Sequence, residues 1–277
     1  MSEKKAKKTT AKKTTKKKAA PKKTAKKDAP KKTKKKEENT VMEGSLIYVD
    51  YVARTKDDGM IFDLTLEEVA KAENLYSEKD RYEPILVAVG SNWLLEAIEE
   101  GLVGMKIDES KTINVPPERG AGVRDPSLVK KIAKMRLEKQ GVKIQKGERV
   151  TVGREQGVIT QVLGRTAILD FNPPLAGKTL VFDVTVKGIV SEPNDKIMAI
   201  LKRRLPGVPP DRYSVTVKGK TITIEFPKES RYIQDFQYAE IGVAMDALKV
   251  ISTAEKVKMT VTYERPEPPP ETDETSE

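Results

Sequence analysis

The hydrophobic pattern changes period repeatedly along the chain. Ser45-Leu-Ile-Tyr-Val-Asp-Tyr-Val-Ala53 alternates as a strand, and Arg54-Thr-Lys-Asp-Asp-Gly59 supplies turn residues that accept unusual backbone angles. Met60 to Thr65 reads as a second strand, and Leu66 to Tyr76 sets Leu66, Val69, Ala70 and Leu75 at helical spacing. Tyr82 to Gly90 is a third strand. Asn92 is placed to cap a helix over Trp93 to Leu102, in which Leu94, Leu95, Ile98 and Leu102 form a continuous apolar stripe. Lys111 to Pro117 is a strand ended by two prolines.

Pro126 to Glu138 is expected to form a basic helix carrying Leu128, Ile132 and Met135. Short strands follow at Arg149–Val152, Gly157–Val162 and Thr166–Asp170, with glycine-containing turns between them. Such a run is too long and too apolar to be loop, so a small β-rich domain is expected there. A strand ending at Phe171 meets a turn forced by Asn172-Pro173-Pro174 and Gly177. From Thr179 the next strand puts Leu180, Phe182, Val184 and Val186 on one face and Val181, Asp183 and Thr185 on the other. Apolar or β-branched residues occupy both faces, so this strand is expected to be largely buried or central to its sheet. Beyond it come a basic amphipathic helix (Asp195 to Leu205), a hairpin of Tyr213–Val217 and Lys220–Phe226, a helix (Ala239 to Ile251) and a strand (Lys256 to Tyr263), a compact α+β unit.

Charge is distributed unevenly. Residues 1–39 hold 18 lysines against 4 carboxylates, residues 266–277 hold 5 carboxylates and no base, and the middle is close to neutral. The first forty residues are Lys, Ala, Thr and Pro with almost no large apolar side chain, so burial cannot offset the entropy of ordering and disorder is expected, as it is for the acidic, proline-rich end. Two readings of the basic tail stay open: attraction to nucleic acid or ribosomal RNA through phosphate neutralisation, or a solubilising extension. No apolar run after the lysines has the form of a secretory signal and none is long enough to span a bilayer, so a soluble, cytoplasmic protein is expected. The chain has no cysteine and no histidine. That excludes disulfides, thiol nucleophiles, Cys/His zinc sites and imidazole proton shuttles, and no cofactor or metal is expected. Any catalysis must need little proton transfer.

Four blocks, in order, resemble FKBP-type peptidyl-prolyl isomerases that carry an inserted flap domain, the SlyD-like group. They are Val49-Asp-Tyr51 followed by Asp58-Gly59-Met-Ile-Phe62-Asp63; Val89-Gly-Ser-Asn-Trp-Leu-Leu-Glu-Ala-Ile-Glu-Glu-Gly-Leu-Val-Gly-Met105; Lys111 to Pro117; and Asp170-Phe-Asn-Pro-Pro-Leu-Ala-Gly-Lys-Thr-Leu-Val-Phe-Asp-Val184. The resemblance implies an α+β fold: an FKBP-like antiparallel half-barrel with a short helix over residues 42–125 and 169–190, an inserted small β-rich flap (chaperone) domain over 126–168, and a C-terminal α+β domain over 191–265. The order of that last domain resembles long archaeal FKBP-type proteins, in which it can support a homodimer.

By the same resemblance Tyr51, Phe62 and Phe182 line a proline pocket, Leu94 and Leu95 close one wall, Ile85 another, Ile98 forms the floor and Asp63 sits at the rim as a fixed carboxylate. Val142, Ile144, Val158, Ile159 and Val162 of the insert are candidates for an exposed chaperone surface, or equally for that small domain's core. Three positions depart from the family pattern. Ala121, in Pro117-Glu-Arg-Gly-Ala-Gly122, stands where a substrate-holding Tyr is expected; Ile98, after Ala97, replaces a large aromatic; and Pro173 replaces a histidine. The resemblance implies an isomerase and folding chaperone acting on X-Pro bonds of unfolded or proline-containing polypeptides, without covalent or metal chemistry. The alternative is a catalytically weak binding module tethered to nucleic acid or the ribosome by its tail.

Overall fold

A computed structural model of the protein describes residues 39–139, 141 and 143–265. The expectations for most of the basic tail, for the acidic end and for Val142 lie outside the described residues. Thr40, expected in the tail, is already bridged antiparallel to Lys106.

The first sheet is antiparallel and holds five strands: β1 (Leu46–Thr55), β2 (Ile61–Leu64), β3 (Ile85–Ala88), β4 (Ser110–Val115) and, late in the chain, β9 (Leu180–Val190). Its order is β2-β1-β9-β4, with β3 pairing the first half of β1. The short helices α1 (Glu67–Ala72) and α2 (Glu96–Leu102) accompany it. One face of β1 and β9, carrying Ile47, Val49, Tyr51, Leu180, Phe182, Val184 and Val186, closes on Ile98 and Leu102 of α2. Gly101 makes this approach possible, since a Cβ there would stand 2.5 Å from Ile113 Cδ1 on β4.

β1 is buried on both faces. Leu46 and Tyr48 turn away from the barrel core and join the core of the C-terminal unit, as do Leu86 and Ala88 of β3. In β9 a register shift opposite Tyr48 and Val49 leaves Lys187 unpaired, which flips the alternation. Ile189 therefore packs inward on the barrel and Val190 outward on the C-terminal unit.

Between β4 and β9 lies a four-stranded antiparallel sheet of β5 (Val129–Ala133), β6 (Arg149–Val152), β7 (Glu155–Leu163) and β8 (Thr166–Asp170), in the order β5-β8-β7-β6. The helix expected over Pro126 to Glu138 is mostly not one. Pro126–Leu128 is a single 3-10 turn, β5 pairs with β8 from Val129↔Asp170 to Ala133↔Thr166, and only α3 (Lys134–Glu138) is helical. The ladder with β8 supplies backbone hydrogen bonds that local periodicity does not register.

The C-terminal unit contains α4 (Pro193–Arg204), β10 (Ser214–Lys218), β11 (Thr221–Phe226), α5 (Phe236–Val250) and β12 (Lys256–Val261). β10 and β11 form the expected hairpin, whereas β12 returns parallel to β11. Its core is built from Ile197, Ile200, Leu201, Ile222, Ile224, Val243 and an edge-to-face pair, Phe226 with Phe236, at 5.3 Å. Among the described residues no helix is long and apolar enough to cross a membrane.

Candidate active site

The barrel core includes an aromatic group. Phe182 stands between Tyr51, 6.1 Å away between ring centroids, and Phe62, which meets it edge to face at 5.9 Å. Phe62 is the extra residue of a β-bulge: Ala53 pairs with Asp63 and Arg54 with Ile61, leaving Phe62 between them. Such a bulge re-aims side chains, and here Phe62 packs on the barrel core while Asp63 remains exposed at the rim.

The Tyr51 hydroxyl donates to Asp63 Oδ2 at 2.7 Å. Burial, reinforced by the Asp63 carboxylate, holds the phenol well above its ordinary pKa, so it remains a neutral donor. The Tyr51 backbone is held in turn by Thr65. Its Oγ1 accepts from Tyr51 N–H at 2.9 Å, its N–H donates to Tyr51 O at 3.0 Å, and its hydroxyl donates to buried Asp50 at 2.9 Å.

Leu94, Leu95 and Ile85 are partly buried against the same core, and Ile98 is buried within it. The structure thus brings Tyr51, Phe62, Phe182, Ile85, Leu94, Leu95 and Ile98 into one apolar cluster.

The loop carrying Leu94 is fixed by a residue that the periodicity argument missed. Glu99 is 3% exposed. Its Oε2 accepts from Gly90 N–H (2.8 Å) and Asn92 N–H (3.1 Å), and its Oε1 from Trp93 N–H (2.6 Å) and Leu94 N–H (2.9 Å). The helix therefore begins at Glu96 with Leu95 as its N-cap residue, and Asn92, expected to cap it, instead turns through a left-handed φ of 57°. A buried glutamate inside an apolar stripe, with no basic residue three or four positions away, was the available sequence signal.

Ala121 lies in the turn after β4, half-buried, where Gly122 N–H donates to Pro117 O at 2.9 Å. Pro173 and Pro174, in the segment before β9, are exposed.

Candidates in the insert separate into core and surface. Ile159 is fully buried with Leu137, Val150, Ala167 and Leu169, and Ile144 packs against them, so neither is an exposed contact surface. A sheet this small needs its central aliphatics inside. Val158 lines a cavity of about 390 Å³ with Phe171, Pro173 and Pro174, where the insert meets the barrel. Val162 is exposed, together with Leu163 and Met135, which are not among the surface residues expected from the sequence. The junction itself is latched: Asn172 accepts from Asp125 N–H and donates to Asp125 O, and Arg124 binds Asp170 Oδ2 at 2.7 Å. Burial raises the Asp170 pKa, but hydrogen bonds from Asn172 and Arg124 outweigh it and hold the carboxyl below its ordinary range.

This cluster offers apolar side chains and a neutral phenol whose one O–H is held by Asp63, without a histidine or thiol to act as base or nucleophile. That suits a reaction whose barrier is amide resonance. An X-Pro bond needs only to be desolvated and held in its twisted form better than in either planar isomer.

Comparison with known proteins agrees with this chemistry. A family model described as FKBP-type peptidyl-prolyl cis-trans isomerase matches residues 37–187, and one described as FKBP26_C-terminal matches residues 193–264. The chain is similar to the short-type peptidyl-prolyl cis-trans isomerase of Methanocaldococcus jannaschii, 36% identical over 151 residues that cover 54% of this chain and 95% of that protein. It is also similar to the FKBP-type 16 kDa peptidyl-prolyl cis-trans isomerase of Escherichia coli (30% over 129 residues; 45% and 85%) and to the FKBP-type isomerase SlyD of Helicobacter pylori (28% over 122 residues; 42% and 65%). With the half-barrel and its aromatic cluster in place, the resemblance read in the four sequence blocks holds: this chain belongs to the FKBP-type peptidyl-prolyl cis-trans isomerase family.

Proposed function

We propose that the protein isomerises X-Pro bonds in unfolded or nascent cytoplasmic polypeptides, with residues 42–125 and 169–190 as the isomerase domain, 126–168 as the capture domain and 191–265 as a separate C-terminal domain. The observation that carries this reading is the aromatic group of Tyr51, Phe62 and Phe182 beside the Asp63 rim. Tyr51, Phe62, Asp63 and Phe182 contact the proline ring and its carbonyl, and Ile85, Leu94, Leu95 and Ile98 exclude water from it. Exposed Met135, Val162 and Leu163, with the cavity beside Val158 and Phe171, support capture of apolar client segments by the insert.

The test is catalysed cis-to-trans isomerisation of a short peptide with one X-Pro bond, by the parent chain and by Ala121→Tyr. The parent accelerates the reaction above background, and Ala121→Tyr raises kcat/KM about two- to tenfold by restoring one hydrogen bond in the transition state. An inactive parent that Ala121→Tyr does not rescue would leave a binding module on the same fold.

Two partner readings rest on separate observations. The 18 lysines among residues 1–39 favour nonspecific binding to nucleic acid or the ribosome, and the exposed Tyr238, Ile241 and Met245, along one side of α5, favour a homodimer. Deleting residues 1–40 should abolish steeply salt-dependent binding to a duplex oligonucleotide, and Ile241→Glu should halve the solution mass. Unchanged binding or mass rejects the corresponding reading.

A further inference from the structure

The two walls of the proline pocket are both held from outside the barrel, and by the same helix end. On one side, Glu83, two residues before the wall residue Ile85, pairs with Lys202 at 2.8 Å. On the other, Trp93, immediately before Leu94 and Leu95, lies under the Arg203 guanidinium, whose carbon is 3.9 Å from the ring centroid. Lys202 and Arg203 are consecutive in the last turn of α4. A third tie comes from α5, where Lys249 Nζ donates to Ser91 O at 2.9 Å.

These ties are themselves anchored. Asp246 of α5 is 6% exposed and receives Arg204 Nε at 2.7 Å, with Arg203 Nη1 at 3.6 Å. Gly242, one turn earlier, lies beneath the Arg204 guanidinium, where a Cβ would stand 3.1 Å from its carbon. The wall segments also divide their side chains between two cores. Trp93 and Leu86 pack with the C-terminal unit, while Leu94, Leu95 and Ile85 pack with the barrel.

We propose that Arg203 and Lys202 are positioning residues for the isomerase site, so that the C-terminal unit sets the separation of the pocket walls and thereby the affinity for the proline-containing segment. The proposal rests on the reading of the Tyr51–Phe62–Phe182 group as the proline site. A cation over an indole and a short ion pair are directional contacts, and small displacements of substrate-positioning walls carry large rate penalties.

Trp93 is the chain's one tryptophan, so its fluorescence reports this contact directly. The experiment compares the full-length parent with Arg203→Ala, Arg203→Lys and Lys202→Gln, using a tetrapeptide with one Leu-Pro bond and recording kcat, KM and Trp93 emission. Arg203→Ala should change the emission and lower kcat/KM about fivefold or more, mainly through KM, because the walls are displaced while the reacting bond is unchanged. Arg203→Lys, which keeps a cation at the ring, should recover to within about threefold of the parent. Arg212→Gln, which breaks an ion pair with Glu229 within the C-terminal unit, serves as the control with unchanged kinetics.

Altered Trp93 emission in Arg203→Ala with kcat/KM within about twofold of the parent overturns the proposal while leaving the proline site intact. If Arg203→Ala does not fold, the exposed-residue double variant Lys202→Gln/Lys249→Gln decides on the same thresholds. A parent without turnover overturns the site reading and this proposal together.

Discussion

Glu99→Gln should lose nearly as much stability as Glu99→Ala, about 2–4 against about 3–5 kcal/mol in chemical denaturation. The carboxylate distributes four backbone donors over its two oxygens, Gly90 and Asn92 on one, Trp93 and Leu94 on the other. An amide offers one acceptor and one NH2, so one of these pairs must face donor to donor whichever way the side chain turns. Alanine removes both acceptors but permits water to enter in their place.

Activity should fall with stability in both variants, because the released loop carries Leu94 and Leu95. Measured where more than nine-tenths of each variant remains folded, by about 1.4 kcal/mol of residual stability, kcat/KM for an X-Pro peptide should still be reduced about tenfold. A variant that is destabilised yet fully active in its folded fraction would place the loop outside the site.

How much of this was legible beforehand depends on where each residue's partners lie. The alternation of Leu180, Phe182, Val184 and Val186, with apolar neighbours between them, correctly implied a strand between two others, because its neighbours on both sides are strands of one sheet. The faces of β1 were less readable. Leu46 and Tyr48 belong to a second core that closes only when residues some 150 positions later fold against them, and no local period records that.

Pro126–Glu138 shows the same limit in another form. Leu128, Ile132 and Met135 fit a helical face, but the ladder to β8 made Val129–Ala133 a strand and confined the α-helix to Lys134–Glu138, where Met135 faces solvent. At the proposed site, the residues of the motif blocks follow from the resemblance, whereas those that hold them do not. Thr65 and Glu99 act on backbone groups, and the bulge that aims Phe62 is a property of pairing between β1 and β2 rather than of any one residue. In the insert, the inward packing of Ile144 and Ile159 follows from a core with five buried side chains among the described residues, which hydrophobicity alone could not divide into inside and outside.

Phe62→Ala and Phe182→Ala should part company, and the contrast separates a pocket from a core. Phe182 is 6% exposed and touches both other rings, so Phe182→Ala should cost about 3–5 kcal/mol of stability and remove most activity with the fold. Phe62 is only half-buried, and Phe182 is its one close aromatic neighbour among the described residues. Phe62→Ala should therefore cost only about 1 kcal/mol of stability. Its larger effect should be on kcat/KM, lower by about 10- to 100-fold, equivalent to about 1.4–2.8 kcal/mol of lost transition-state binding. Phe62→Leu, which restores apolar area without the flat ring, should recover part of that loss. The discriminating quantity is the ratio of the two effects in each variant, from denaturation and peptide isomerisation on the same preparations. A Phe62→Ala protein that keeps parental kcat/KM would mean that the bulge at Phe62 serves packing alone, because a ring aimed at a substrate proline cannot be removed without weakening the bound twisted amide.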